Sequence, residues 1–271
     1  MDLFKQLTRL PGFRSVWRSL DIGSSQSRLR YGIWDRPDYA YGIYQAADQA
    51  HRLGLKKITA IEFGVAGGRG LMVIERLAAR FGAELGVEIQ VAGFDMGIGL
   101  PKPRDYRDLP HIWDTGFFEM DIGGLKKKLQ RSTKLVLGNV DETAAAFVQS
   151  GLDAPVGFIS FDLDYYSSTV EALHIFDGGP DSRLPRVYCY FDDLVWPELA
   201  CHNEYTGEYL AIREFNEARA KQKICQLANL RWMRDYHDRW NDQMFIMHDF
   251  EHPLYTRNIL NKAETDQLRL L

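Results

Sequence analysis

The chain has 271 residues, of which 45% are hydrophobic and 26% charged, and its formal net charge is −4 at pH 7. This composition is typical of a soluble globular protein, and the slightly acidic balance excludes the strongly basic type of nucleic-acid-binding protein. The length suits one large α/β domain or two small ones. No apolar run approaches the ~20 residues that a membrane-spanning helix needs, so we expect no transmembrane segment.

The number and spacing of the cysteines indicate whether the protein resides in a reducing or an oxidising compartment. Cys189, Cys201 and Cys225 are odd in number and widely spaced, which favours a reducing environment over a disulfide framework. The first twenty residues carry basic side chains but lack the apolar core of a secretory signal. A cytoplasmic location is therefore predicted.

Residues 1–36 are predicted to form an N-terminal extension. Apolar and basic residues alternate up to Trp17, with Pro11 and Gly12 between them, which is typical of an interrupted amphipathic helix. Such a helix could contact a second subunit of a homo-oligomer, lie on a membrane surface, or pack on its own domain. The sequence Gly-Ser-Ser-Gln-Ser at 23–27 predicts a flexible connection.

After the extension, predicted strands alternate with predicted helices. Helices are expected at 38–55, 71–81, 123–131, 141–149, 168–175 and 208–221, and strands at 58–63, 88–94, 134–137, 156–161, 187–191, 224–227 and 244–247. This alternation predicts an α/β, doubly wound, Rossmann-like fold with a mostly parallel seven-stranded sheet and helices on both faces. The last two strands are predicted to extend the sheet in an antiparallel manner. Residues 37–253 are taken as this domain and 254–271 as a tail or helix.

Two of the predicted strands end in paired acids. Asp162 and Asp164 follow strand 156–161, and Asp192 and Asp193 follow strand 187–191. Carboxylates this close repel each other unless a positive charge lies between them. The two pairs together therefore predict one cation site where the strand ends meet. The alternative is that these residues cap the turns or helices that follow, as aspartate commonly does.

A glycine-rich turn follows the first predicted strand. Gly64, Gly67, Gly68 and Gly70 allow the backbone to approach a ligand closely, and Glu62 precedes them. The spacing G-x-x-G-G-x-G differs from the G-x-G-x-x-G of dinucleotide sites. The acid would repel a pyrophosphate but would suit a ligand with an amino or sulfonium group. The alternative is a tight turn that packs a helix on a strand.

The second predicted strand ends at Asp95. Doubly wound folds place an acid at this position to hydrogen-bond a ribose hydroxyl. Asp95 lies farther from the glycine turn than the ~20 residues of the dinucleotide pattern, and the long helix between them accounts for the difference.

Several motifs resemble those of class I S-adenosylmethionine-dependent methyltransferases. They are Glu62-Phe63-Gly64-Val65 with Gly67, Gly93-Phe94-Asp95 with Gly99-Leu100-Pro101, and Gly138 with Glu142-Thr143. A more specific element resembles the macrocin O-methyltransferase family, metal-dependent enzymes that methylate sugar hydroxyls on natural products. This element is Asp162-x-Asp164-x-Tyr166-x-Ser168-Thr169 with Ala172-Leu173, joined to Asp192-Asp193. The resemblance covers about Arg36 to Phe215.

The resemblance implies S-adenosyl-L-methionine as cofactor, Mg²⁺ as metal, and a small-molecule acceptor such as a sugar or glycoside. It implies that Asp162, Asp192 and Asp193 bind Mg²⁺ and that Asp164 is the general base. The residues implied to hold the cofactor are Glu62, Phe63, Gly64, Val65, Ala66 and Gly67 at the methionine end, Asp95 at the ribose with Met96 next to it, and Asn139 and Val140 near the adenine.

The sequence departs from the family where the acceptor would bind. Gly178 and Gly179 lie well upstream of Val187, Leu194 follows the second acid pair, and residues 193–206 form a longer loop than usual. Two alternative functions remain. A metal-dependent glycosyltransferase also uses a strand-end Asp-x-Asp, although it has no need of Glu62. A non-catalytic domain of this fold is the other, although buried acids are costly without a cation.

Overall fold

A computed structural model describes residues 6–8, 10, 12–20, 22–150, 153–233 and 236–260. The helices within them are α1 (Phe13–Ser19), α2 (Ser25–Arg30), α3 (Pro37–Leu53), α4 (Arg69–Leu85), α5 (Ile122–Lys128), α6 (Val140–Gln149), α7 (Tyr166–Ala172), α8 (Gly207–Ala218) and α9 (Leu230–Met233). The strands are β1 (Lys57–Phe63), β2 (Glu88–Asp95), β3 (Lys134–Leu137), β4 (Val156–Phe161), β5 (Arg183–Phe191), β6 (Gln222–Gln226) and β7 (Met244–Asp249).

The seven strands form one sheet in the order β3-β2-β1-β4-β5-β7-β6. Strands β1 to β5 are parallel, and β7 runs antiparallel to both β5 and β6. This arrangement confirms the predicted α/β fold and its antiparallel extension. The chain proceeds from β1 outward to β3 and then returns to place β4 on the other side of β1, so the topological switch point lies between β1 and β4. Ligands of doubly wound folds bind beyond the carboxyl ends of the strands at such a point.

A row of phenylalanine rings crosses the sheet just below these carboxyl ends. Phe94 contacts Phe63, Phe63 contacts Phe161 and Phe161 contacts Phe191, with ring-centroid distances of 4.8, 5.6 and 4.6 Å. The strand register places these residues side by side. All four rings are buried in the apolar cluster under α6, α7 and α8. Because side chains alternate along a strand, the residue after each phenylalanine is free to face away from this cluster.

The opposite face of the sheet is covered by α3 and α4. Their buried residues, with Tyr39, Ile43 and Phe81 among the largest, pack on Phe158 and the other side chains of that face. Helix α3 begins with Pro37 in its first turn and ends at Gly54, which adopts a left-handed conformation with φ +78°. Both are common terminal residues of helices.

The described part of the N-terminal extension packs on its own domain. Trp17, Tyr31 and Ile33 are buried together, with Tyr236 packed against them. The predicted flexible connection at 23–27 is wrong, because α2 begins at Ser25. The hydroxyl of Ser24 accepts a hydrogen bond from the backbone N–H of Ser27 and caps this helix. Of the predicted interrupted amphipathic helix, the part after Gly12 forms α1, and most of the part before Pro11 lies outside the described residues.

Strand β5 begins earlier than its apolar pattern predicted, at Arg183. The Arg183 guanidinium donates to Oδ2 of Asp249 at the end of β7, at 2.9 and 2.6 Å. Both side chains are buried, with 5% and 6% exposed, so the ion pair replaces the apolar contacts of an ordinary strand start.

Residues 254–260 contain neither helix nor strand, and the rest of the predicted tail lies outside the described residues. In the part of the chain that the structure describes, no helix is both long and apolar enough to cross a bilayer.

We expect Asp249→Ala to lower the free energy of unfolding by about 3–5 kcal/mol, since it leaves the Arg183 charge buried and unpaired. Urea unfolding followed by circular dichroism measures this change. Glu88→Ala is the control, because Glu88 pairs with Lys57 at an exposed position and should cost about 1 kcal/mol or less. Equal effects of the two substitutions would contradict the assigned role of the buried pair.

Candidate functional site

One cavity of about 340 Å³ opens at the carboxyl ends of β1, β2, β3, β4 and β5. This volume is in the range of small-molecule sites. Its walls contain both acidic and aromatic side chains. The lining residues are Gly64, Ala66, Phe94, Asp95, Met96, Gly99, Leu100, Pro101, Arg104, Trp113, Phe117, Phe118, Gly138, Asn139, Val140, Asp162, Leu163, Asp164, Ser167, Ser168, Glu171, Asp192, Asp193 and Trp196.

The glycine turn closely approaches the neighbouring strand end. Gly64 has φ +84°, and a Cβ atom added to it would lie 1.7 Å from the carbonyl oxygen of Asp162. Glycine is therefore required here both for its conformation and for its size. Ala66 also has a positive φ, +45°. The turn thereby brings its backbone to the cavity beside the first acid of β4.

The carboxylate of Asp95 organises this turn. Its Oδ2 accepts hydrogen bonds from the backbone N–H groups of Val65 and Ala66 at 2.9 and 2.8 Å, and its Oδ1 accepts from Gly97 at 2.6 Å. An ionised carboxylate offers about four acceptor positions, so three of them serve the protein itself. Asp95 still lines the cavity, where one acceptor position is left for a ligand.

Glu62 is placed behind the turn and not in the cavity wall. It is 2% exposed, and its Oε1 accepts a hydrogen bond of 2.7 Å from the hydroxyl of Tyr39. The Ser160 hydroxyl donates in turn to the oxygen of Tyr39 at 3.0 Å. Burial raises the pKa of Glu62 to about 8. Its Oε2 is buried without a hydrogen-bond partner in the described structure.

The ten residues assigned to the cofactor by resemblance thus fall into two groups. Six line the cavity, namely Gly64, Ala66, Asp95, Met96, Asn139 and Val140. The other four lie outside the lining, namely Glu62, Phe63, Val65 and Gly67. Phe63 belongs to the phenylalanine row, and the Val65 backbone bonds to Asp95. Gly67 follows the lining residue Ala66 in the chain, and Glu62 lies two residues before the lining residue Gly64.

The two predicted acid pairs meet at one edge of the cavity. Asp162, Asp192 and Asp193 each present a carboxylate oxygen, and these three atoms lie within 4.8 Å of one another. Burial, together with the neighbouring carboxylates, raises the pKa of Asp162 and Asp193 well above the usual range. Three crowded oxygen donors form the type of ligand set that hard divalent cations prefer.

Asp164 lies next to this group in a strained backbone conformation. Its φ is +61°, and its backbone N–H donates to Oδ2 of Asp193 at 2.9 Å. Aspartate tolerates the left-handed region better than most residues, and such strain is concentrated at functional sites. Burial first, and then the charges of Asp162 and Asp192, raise the pKa of Asp164 to about 8. The side chain is 6% exposed and lines the cavity.

Two residues next to the acids were missed in the sequence. The hydroxyl of Tyr190 donates to Oδ1 of Asp192 at 2.7 Å, and the Arg36 guanidinium lies 4.0 Å from the same oxygen. The strand period places Tyr190 on the same side as Asp192 and could have indicated it. Arg36 carries no such signal, because it precedes α3, far away in the sequence. It stacks on Tyr39, with the guanidinium carbon 3.9 Å from the ring centroid.

Two loops form the outer wall of the cavity. Residues 99–118 and 194–206 meet through a small buried cluster that contains Leu109, Trp113, Tyr165 and Ala200. The long loop after Asp193 is therefore partly ordered by tertiary contacts, and it includes a short 3₁₀ helix at Glu198–Ala200. The aromatic side chains of Phe117, Phe118 and Trp196 line the cavity and remain 45–56% exposed. Arg104, the cation of this wall, is paired with Glu171.

No protein-family model and no curated protein matches the sequence. Among solved structures, the crystal structure of CalS11, a calicheamicin methyltransferase, matches 91% of this chain and 92% of its own, with a TM-score of 0.52 and 17% identity. The apo structure of CalS11, described as a TDP-rhamnose 3'-O-methyltransferase, matches 93% and 100%, with a TM-score of 0.44 and 17% identity. The structure of MNMC2 from Aquifex aeolicus matches 86% of this chain and 66% of its own, with a TM-score of 0.39 and 12% identity. At such low identity the likeness to the first structure shows the fold alone, which this chain shares with that methyltransferase.

We expect Gly64→Ala to destabilise the protein more than Gly86→Ala. Both glycines have positive φ, but a Cβ at Gly86 meets open space, whereas one at Gly64 collides with the Asp162 carbonyl. The left-handed conformation alone costs about 1–2 kcal/mol for an L-residue. In chemical unfolding, Gly86→Ala measures the cost of the left-handed conformation alone. The additional loss of stability in Gly64→Ala measures the cost of the collision. Equal losses of stability would show that the turn and β4 are not in close contact.

Proposed function

We propose that this protein is an S-adenosylmethionine-dependent, Mg²⁺-dependent O-methyltransferase that acts on a hydroxyl of a sugar or another small polyhydroxylated acceptor. One observation carries the proposal. A single cavity at the switch point brings the glycine turn and the Asp95 strand end beside the four strand-end acids, Asp162, Asp164, Asp192 and Asp193. A cofactor subsite and a cation site therefore share one space.

The lining residues fit S-adenosylmethionine. Met96 and Val140 offer an apolar surface for an adenine ring, and Asp95 lines the cavity where a ribose hydroxyl would bind. Glu62 lies behind the glycine turn with an unpaired buried oxygen, and a cationic methionine group at the turn would offset its negative charge. An acid at this position disfavours a diphosphate, in agreement with a sulfonium cofactor.

The acid group fits a hard divalent cation. Asp162, Asp192 and Asp193 supply only oxygen donors, and Mg²⁺ is usually held by a few carboxylates together with water or substrate oxygens. Without a cation, the crowded carboxylates repel one another and lose their solvation on burial. Arg36 lies 4.0 Å from Asp192, but its guanidinium is paired with Asp38 at 2.9 Å, so it compensates only a part of the negative charge.

The chemistry follows from this arrangement. When bound, S-adenosylmethionine supplies an electrophilic methyl group on sulfur, and a divalent cation lowers the pKa of a coordinated hydroxyl. Transfer of that methyl group, with the S–CH₃ bonding pair left on sulfur, would require that the acceptor hydroxyl lose its proton to a group of the protein. Asp164 takes that proton, because it lines the cavity beside the cation ligands and, being buried, is a stronger base than an exposed aspartate. The exposed aromatic wall opposite supplies a surface on which the acceptor packs.

A ligand-binding experiment distinguishes this function from the glycosyltransferase alternative. We expect S-adenosylhomocysteine with Mg²⁺ to raise the melting temperature, since ligands that bind only the native state stabilise it. UDP-sugars with Mn²⁺ should have no effect. Stabilisation by UDP-sugars alone would disprove the methyltransferase proposal. Methyl transfer itself is tested with isotopically labelled S-adenosylmethionine and a panel of sugars and glycosides, with mass spectrometry to detect the methylated product.

We expect Asp164→Asn to reduce turnover at least ~100-fold, as loss of a general base commonly does, while the affinity for S-adenosylhomocysteine stays within about threefold. Asparagine tolerates the left-handed backbone of position 164, so the loop geometry should be retained. Isothermal titration calorimetry gives the affinity, and the glycoside that yields product in the panel gives the rate.

Asp114→Asn is the matched control for this substitution, since Asp114 is an exposed acid of the outer loop that does not line the cavity. It should retain the rate of the unmodified protein. Full turnover in Asp164→Asn would remove the base assignment without affecting the cofactor assignment.

A further inference from the structure

A fifth acid, which is buried, lies beside the cation ligands, and the sequence motifs did not include it. Glu208 is in the first turn of α8 and is 1% exposed. Its Oε2 accepts a hydrogen bond of 3.0 Å from the backbone N–H of Asp193. This contact joins α8 to the end of β5 at one of the three residues whose carboxylates converge.

A second hydrogen bond links Asp193 to Asp164, the proposed general base. The Oδ2 atom of Asp193 accepts from the backbone N–H of Asp164 at 2.9 Å. Glu208 therefore fixes the backbone of Asp193, and the Asp193 side chain fixes the backbone of Asp164 in its left-handed conformation. Displacement of Glu208 would disturb two strand ends at once.

Ordinary helix capping does not explain this residue. A glutamate at the third position of a helix commonly accepts from the backbone N–H of the N-cap residue, but Glu208 is at the second position after the N-cap Thr206. Glu208 instead accepts from a residue of another element. Its other oxygen, Oε1, is buried and has no hydrogen-bond partner in the described structure.

The charges around Glu208 are those of the cation site. Glu208 is almost completely buried and contacts Asp193, whose carboxylate converges with those of Asp162 and Asp192. A buried carboxylate oxygen with no donor, opposed by three other acids, is costly unless a positive charge compensates it. The N-terminus of α8 provides a partial positive charge near Glu208, and Arg36 near Asp192 offsets a part of the charge of the group.

We propose that Glu208 is a fourth acidic residue of the cation site, which positions Asp193 through its backbone N–H and adds its negative charge to the binding of a divalent cation. This inference rests on the proposed metal dependence. Asp162, Asp192 and Asp193 remain the converging ligands, and Glu208 acts from behind Asp193. Its removal therefore weakens cation binding without removing a ligand.

Mn²⁺ binding to the full chain tests this proposal, with free Mn²⁺ measured by electron paramagnetic resonance. Glu208→Gln keeps the size of the side chain and an acceptor for the Asp193 N–H but removes the charge. We expect it to raise the Mn²⁺ dissociation constant about tenfold or more, within the ~10–100-fold typical of residues that support metal ligands. Glu208→Ala should weaken binding further, because the hydrogen bond is lost as well.

The matched control is Glu217→Gln, which makes the same change of charge on the same helix at an exposed position and should leave Mn²⁺ affinity unchanged. Asp162→Asn, which removes a ligand, should weaken binding more than Glu208→Gln does. Glu208→Asp retains the charge on a shorter side chain and should bind Mn²⁺ more tightly than Glu208→Gln. Thermal unfolding and S-adenosylhomocysteine affinity identify any variant that is misfolded.

Wild-type affinity for Mn²⁺ in Glu208→Gln would overturn the role of Glu208 and leave the three-aspartate site intact. If the unmodified chain binds no Mn²⁺ in the presence of S-adenosylhomocysteine, the metal dependence and the role of Glu208 both fail. The S-adenosylhomocysteine titration still tests the cofactor assignment on its own.

Discussion

The candidate site depends on the register of the parallel strands, which the phenylalanine row holds in place. The rings of neighbouring strands are in contact beneath the carboxyl ends, so a shift of one strand by a residue would turn its ring out of the apolar cluster. The residue that follows each phenylalanine therefore lies at the same level of the sheet, and these four residues form the floor of the site. They are Gly64, Asp95, Asp162 and Asp192.

The same register concentrates negative charge in a buried place. Asp193 and Glu208 are buried beside the end of β5, and Asp162 and Asp192 lie next to them with partly exposed side chains. The strand ends hold Asp162 and Asp192, and the contact with Asp193 holds Glu208, so the acids cannot move apart freely to lower their repulsion. A divalent cation compensates several such charges at once, which links the stability of this region to the proposed chemistry.

Much of the fold was predictable from short-range patterns. The alternation of strands and helices, the glycine turn and the acids after Phe161 and Phe191 are visible in the sequence, because side-chain period and turn chemistry are local properties. The predictions were weaker where a distant partner decides the structure. Strand β5 begins at Arg183 because Asp249 of β7 neutralises its charge. The start of α2 at Ser25, by contrast, has a local cause in the Ser24 cap, which the prediction of a flexible connection did not include.

The sequence by itself determined the fold class and the residue types at the strand ends, because both follow from periodicity and from the order of elements along the chain. The roles of individual side chains were decided by tertiary structure. Glu62 lies behind the glycine turn, and Asp95 gives three acceptor positions to backbone N–H groups. Glu208 reaches Asp193 from a helix that begins after a long loop. The direction of a side chain and the residues that it contacts depend on how separate elements pack, and the spacing of residues along the sequence does not encode that packing.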